Sequence, residues 1–376
     1  MKKIILIAAV AIAAAACSKT FDTNPAASEQ AIGFGTWAEG LTKAVPTPTN
    51  PRIQGSSAFR EGDSFSVYGY KSAADETGKV SVFENVTVVA TAETTSGTPA
   101  VTSASAWDYD IHRFWDKNFA KYTFFAVSPA GAATVNYQTG AITNVSKTFS
   151  GKDNDILVAS KKVVNKGDAE PYFQNYGKVE LLFNHAATLV DVKMKKSPSL
   201  ANNTVQITAF SLNAIEDEGA LSVASYEDGT GLPVISWTGT GTTNYGPADG
   251  VTEVTLPIAI EKDDTFTTGN DNASYVPSNS TFIVNNLVVK PQAINAQNIS
   301  LTYKIEGDEA EHTATLNFAD FDKVDNNNQN QAKVGDWLFG KHYTFYITID
   351  AKAIEFSASI SDWETVNVNG YHYILN

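Results

Sequence analysis

Few residues in this chain have the type and spacing for covalent or metal chemistry, and the first that does is a thiol. Cys17 is the only cysteine among 376 residues, so it cannot close a disulfide within the chain and needs another use. Lys43 and Arg52 each offer a bond to a trypsin-like protease. They lie in a connector, residues 40–55, whose prolines Pro46, Pro48 and Pro51 hold it extended and exposed. The five histidines, His112, His185, His312, His342 and His372, are scattered, with no HExxH and no pair at ligand spacing. His185 lies within an apolar run and reads as a hydrogen-bonded core residue. Two acid runs, Glu216-Asp217-Glu218 and Asp263-Asp264, read as solvated turns. Asp325, Asn327 and Gln329 have the alternation of a calcium loop, but Gln329 and the lack of a following glycine argue against one. Neither G-x-S-x-G nor a P-loop is present. The expectation is no catalytic residue, no metal and no cofactor, hence no enzyme.

The elements that place these residues begin with a segment that decides the compartment. Lys2 and Lys3 precede an unbroken apolar run from Ile4 to Ala16, which ends at Cys17. Charged start, apolar middle and small-residue end make a secretory signal, too short to cross the hydrocarbon core, which takes about 20 apolar residues. Ala14-Ala15-Ala16-Cys17 resembles the bacterial lipobox, with Ala14 where Leu is usual. That resemblance implies cleavage before Cys17, acylation of its sulfur and a lipid anchor in the outer membrane. The alternative is an ordinary A-x-A site with a cysteine beside it. Residues 18–30 are polar and read as a tether.

Loss of Lys2 and Lys3 takes the formal charge from −14 to −16, which makes nucleic acid and anionic lipid head groups poor partners. About 360 residues then remain, roughly two domains. Abundant Thr, Ser, Asn, Val and aromatics with scarce Met favour strands. The organisation expected is all-β: a signal over 1–17, a tether over 18–30, one β-sandwich over 31–177 and a second over 178–376.

Along the chain, residues 31–37 form a first, glycine-weakened strand carrying Ile32 and Phe34. Phe65 to Tyr70 and Val86 to Ala92 follow as strands, then a Thr/Ser/Ala-rich loop or loose hairpin. Trp107, Ile111 and Trp115 fall four apart and fit either a short helix or a strand edge. Tyr122 to Val127 is apolar on both faces and stops at Pro129, as a central strand does. One strand is expected over Val179 to His185, continuing through Leu189 to Met194. Further strands fall at Val205–Ile215, Leu232–Trp237, Val251–Ile260, Phe282–Val289, Ile299–Ile305 and Thr313–Phe318. The clearest signal is the last hairpin, in which Tyr343, Phe345, Ile347 and Ile349 alternate with polar neighbours, as do Ile354, Phe356, Ala358 and Ile360.

Here the residues resemble a family. Trp337 with Gly340-Lys341-His342-Tyr343-Thr344-Phe345, the hairpin, and then Asp362-Trp363 are similar to the closing motif of the Bacteroidetes fimbrillin, or Mfa-like, proteins. In the same order stand Ile32 and Phe34 before Thr42-Lys43-Ala44, Phe65 to Tyr70, Tyr122 to Pro129, Phe183-Asn184-His185-Ala186 and Lys290-Pro291-Gln292. The resemblance implies a surface-exposed lipoprotein precursor of a fimbria, built from two transthyretin-like β-sandwiches. It also implies a cut after Lys43 or Arg52, removal of the strand carrying Ile32 and Phe34, and a groove that accepts a strand from another fimbrial subunit. The donor it implies is the C-terminal tail, with Val366, Val368, Tyr371, Tyr373 and Leu375; the other reading of that tail is the last strand of its own domain. Stalk, tip and anchor roles stay open, with adhesion to a host or bacterial surface receptor. The competing function is a surface glycan-binding lipoprotein in which Trp37, Trp107 or Trp237 stacks on sugar rings.

Overall fold

A computed structural model describes residues 31–34, 62–94, 102–150, 155–169, 178–239, 241–246, 258–260, 281–324, 330–350, 354–362 and 366–367. Among these the regular structure is strand, relieved only by short 3-10 turns. The first half supplies β1 (Gly33–Phe34), β2 (Ser64–Ser72), β3 (Val80–Thr94), β4 (Thr102–Asp108), β5 (Lys121–Ser128), β6 (Ile142–Thr148), β7 (Leu157–Ala159) and β8 (Lys162–Asn165). Next come β9 (Lys178–Val179), β10 (Leu182–His185), β11 (Thr188–Lys196), β12 (Val205–Glu216), β13 (Glu218–Tyr226), β14 (Pro233–Thr238), β15 (Thr242–Tyr245) and β16 (Ile258–Ile260). The last are β17 (Thr281–Val289), β18 (Asn298–Ile305), β19 (Glu311–Asn317), β20 (Asp322–Val324), β21 (Asn330–Lys333), β22 (Lys341–Ile349), β23 (Ile354–Asp362) and β24 (Val366–Asn367).

The first half is organised by β5, as its two-sided apolar sequence predicts. Period-two alternation sends Tyr122, Phe124 and Ala126 into one core and Phe125 and Val127 into another. An eight-stranded sheet runs β24-β10-β7-β5-β2-β3-β4, with β8 also pairing β5. On its inner face lie β1 and β9, which pair in parallel. Its outer face packs through Tyr68, Phe125 and Val158 against Leu221, Val223 and Ile235 of the three-stranded sheet β14-β13-β6. The hairpin β13–β14 therefore comes from late in the chain but hydrogen-bonds to β6 of the first half.

The second half is two facing sheets, β17-β11-β22-β23-β20-β21 and β15-β12-β18-β19 with β16 beside β12. Between them lie Val192, Met194, Ile207, Leu212, Leu301, Phe318, Trp337 and Phe345. The alternation read in the last hairpin holds: Tyr343, Phe345, Ile347 and Ile349 point into this core. Thr344, Tyr346 and Thr348 on the opposite face are buried too, because β22 is central, parallel to β11 and antiparallel to β23. The Lys193 ammonium, 5.9 Å from the Tyr346 ring, helps cover that face.

Two local expectations change, and one open choice is decided. The single strand expected over Val179–Met194 is three strands in three sheets, β9, β10 and β11. The break between β10 and β11 falls at Ala186 and Ala187, both fully buried, where small side chains let the two halves meet. Of the two readings of Trp107, Ile111 and Trp115, the strand edge holds for Trp107, which lies buried in the edge strand β4, while Trp115 is buried and Ile111 exposed beyond it, with no helix. The acid run Glu216-Asp217-Glu218 is no solvated turn but the passage from β12 into β13, with Asp217 N–H donating to Gly241 O (2.8 Å) and Asp217 O accepting from Phe149 N–H (2.7 Å).

Candidate functional site

The two side chains expected on a removable strand, Ile32 and Phe34, are the ones the structure buries most completely at the start of the described chain, at 0% and 1% exposure. Gly33 between them points away, as alternation along an extended backbone requires. The Phe34 ring sits among four others: Phe65 (5.8 Å between centroids), Phe83 (5.5 Å), Tyr109 (5.8 Å) and Phe124 (6.1 Å), all edge-to-face. That arrangement sets the electropositive rim of one ring against the π face of the next. Neighbouring strands supply the receptors: Phe65 from β2, Phe83 from β3, Phe124 from β5, and Tyr109 from the segment after β4.

The backbone of this segment is held lightly. Gly33 and Phe34 register with Lys178 and Val179, and Ala31 bridges to Phe114. Ile32 N–H donates to Arg113 O (2.7 Å), and the Tyr109 hydroxyl donates to Ile32 O (2.6 Å) while accepting from Arg113 N–H (3.2 Å). Each such bond contributes a net ~0.5–1.5 kcal/mol, whereas burying an Ile or Phe side chain contributes ~1.5–3 kcal/mol. Side chains, more than ladder, keep this strand in place. Burial pushes the Tyr109 hydroxyl up to about 12, which keeps it protonated and donating at ordinary pH. At the rim, His112 Nε2 lies 3.0 Å from Asp108 Oδ1, and this contact holds the Asp108 carboxyl below its ordinary value.

The other end of the chain reaches the same region. Val366 and Asn367 of β24 register antiparallel with Phe183 and Leu182 of β10, at the edge of the eight-stranded sheet. Two residues separate β9, which holds β1, from β10, which holds β24. Cys17, Trp37, Lys43, Arg52, Val368, Tyr371, Tyr373 and Leu375 lie outside the described residues, as do Asp325, Asn327 and Gln329.

A fimbrillin-like family model matches residues 42–363. The chain belongs to the fimbrillin-like family. Among solved structures, a fimbrial protein of Bacteroides vulgatus is 15% identical, with 89% of this chain and 99% of that one covered, at a TM-score of 0.51. That likeness is one of fold. A candidate cell adhesion protein of Bacteroides uniformis is also 15% identical over 90% of this chain and 100% of its own, at a TM-score of 0.47. A fimbrilin of Porphyromonas gingivalis is 8% identical over 89% and 97%, at a TM-score of 0.38. A comparison with curated proteins finds no match.

Elsewhere in this fimbrillin-like chain the polar groups hold the structure together. His185 Nδ1 lies 3.1 Å from Asp155 Oδ2, both buried, and burial pushes the Asp155 carboxyl up. Buried Asp191 accepts from Asn286 N–H (2.6 Å) and from His342 Nε2 (2.8 Å), tying β11, β17 and β22 together. Among the described residues no group of three or more His, Cys, Asp and Glu could hold a metal ion. Of the tryptophans offered for sugar stacking, Trp107 is buried against Phe65 (4.8 Å between centroids). Trp237 is half-buried, with its indole N–H donating to Ala186 O (2.7 Å). Sequence reasoning missed Phe83 and Tyr109 as partners of Phe34; Phe83 sits on an alternating strand but carries no signal of which segment it meets.

Proposed function

We propose that this fimbrillin-like chain is a cell-surface fimbrial subunit, or an accessory tip or anchor subunit, that assembles by strand exchange. The segment carrying Ile32 and Phe34 is surrendered after a cut at Lys43 or Arg52, and its aromatic seat accepts a strand from another subunit. One observation supports this above the rest: two deeply buried side chains sit on a strand whose sheet pairing is two residues long. Such a segment seals a core while contributing little ladder. Its loss uncovers both apolar surface and unpaired backbone, which an incoming strand can satisfy. The donor in this reading is the C-terminal tail, whose Val366–Asn367 rests on β10 of its own chain. Acylation at Cys17 holds the precursor to the outer membrane. Surface adhesion is the activity that follows, with no catalytic role.

Limited trypsin treatment of the purified chain tests the proposal. A discrete cut between Lys43 and Arg60, release of the fragment bearing Phe34 and SDS-resistant ladders are the expected result. A cut chain that stays monomeric at high concentration would overturn it.

A further inference from the structure

Removing β1 from a sandwich ought to loosen the sheet it leaves, yet an acceptor must keep its shape. The first-half sheet has a second cover, the β6–β13–β14 layer on its outer face, and that cover is fastened from the second half. The chain enters β13 from β12 through Asp217 alone. At this crossing Lys290, 3% exposed, ion-pairs with the Glu216 carboxylate and donates to Gly239 O at the far end of the hairpin. Its stem runs against Gly219, which in turn packs closely on Gly239. A Cβ on Gly219 would stand 2.7 Å from Lys290 Cδ and 2.7 Å from Thr238 O, and one on Gly239, at φ +101°, would stand 2.9 Å from Gly219 Cα. Gln292 secures the same crossing: its Oε1 accepts from Glu216 N–H (2.8 Å), while its Nε2 donates to Lys290 O (2.8 Å) and Glu216 O (3.3 Å). Trp237, near the end of β14, packs on Phe149 (5.5 Å between centroids).

We infer that Lys290 is a positioning residue that clamps the β13–β14 hairpin onto the outer face of the first-half sheet, so that the inner seat stays formed once β1 has left. The inference rests on the strand-exchange reading above. While β1 is in place, both faces of the sheet are covered and the clamp is one support among several. After β1 departs, the outer layer is the main apolar cover left to β2, β5 and β7, and its attachment through the buried Lys290 and its half-buried partner Glu216 becomes decisive. Removing Lys290 loses more than the contact itself, because the half-buried Glu216 carboxylate is left without its partner. Glu216→Gln combined with Lys290→Met avoids that stranded charge.

The test uses the full chain as wild type, Lys290→Met and Lys290→Met/Glu216→Gln, each uncut and trypsin-cut, with backbone amide exchange read at Phe125, Val127, Leu221 and Val223. In the uncut chains the variants should stay within about threefold of wild type. In the cut monomers they should exchange about tenfold faster or more, with polymerisation slowed by a similar factor. Equal loss of protection in cut and uncut chains would show a merely structural contact and overturn the inference, as would cut variants indistinguishable from cut wild type. Should wild type fail to polymerise after cutting, strand exchange fails, while the exchange comparison on the monomers still decides the role of Lys290.

Discussion

The two halves of this molecule are closed in opposite ways. In the second half, β12 and β18 pair over eight registered residues, with one register shift between Ile207 and Ala209, and β22 and β23 over nine, so the core lies between long ladders. In the first half, the inner core is sealed by β1, which registers with β9 at two residues and depends on Ile32 and Phe34. Both cores are aromatic: Phe345 contacts Phe318, Phe321, Trp337 and Tyr343 much as Phe34 contacts its four rings. The difference lies in what the ring is attached to. A buried ring on a long ladder can leave only with the whole sheet, whereas one on a two-residue strand can leave alone.

The largest effect should come from deleting each ring in turn. Phe345→Ala and Phe34→Ala each remove a fully buried phenyl, at about 3–5 kcal/mol by size. The comparison predicts that Phe345→Ala lowers the global melting transition, while Phe34→Ala mainly exposes residues 31–34 to exchange and eases proteolysis between Lys43 and Arg60. A common global shift in calorimetry for both, with no local opening, would erase the distinction.

A middle-sized effect separates the halves by their polar supports. Asp191→Ala strips the acceptor from Asn286 N–H, which lies in a backbone region of positive φ (60°), and from His342. It should cost about 1–3 kcal/mol, the penalty for a stranded buried donor, read as a lower denaturant midpoint for the second half with exchange around β1 unchanged. The smallest effect belongs to the first half. Tyr109→Phe removes the hydroxyl bond to Ile32 O and should cost about 1 kcal/mol, seen as faster exchange at Ile32. Since burial raises this hydroxyl from 10.0 to about 12, the folded chain keeps a proton that the unfolded chain sheds from about pH 10 upward. The stabilisation is thus complete below pH 10 and lost as pH rises towards 12, a slope that Tyr109→Phe should flatten in alkaline unfolding curves.

Much of this was legible locally. The two-sided apolarity of Tyr122–Val127 names a central strand, and the alternation from Tyr343 to Ile349 names the face that enters the core. Ile32 and Phe34 flanking a glycine also announce a strand with one buried row. What the sequence conceals is which segments meet. Nothing in Leu221, Val223 or Ile235 distinguishes a hairpin that stays with its neighbours from one that crosses to β6, because that choice is made by contacts 70 or more residues apart in the chain. Thr344 and Thr348 carry no sign that their own face is buried as well, because threonine suits either side of a sheet. Glu216 and Lys290 each look like ordinary surface charge until the fold places them together. Lone residues announce their own environment poorly when it is built by distant strands.

Four aromatic rings gathered round one place also set a rule of composition for whatever segment lies there. Since successive side chains on an extended chain alternate sides at about 3.3 Å per residue, the seat reads every second letter. It asks for a flat or branched hydrocarbon at each of those letters and is indifferent to the letters between, as Gly33 illustrates.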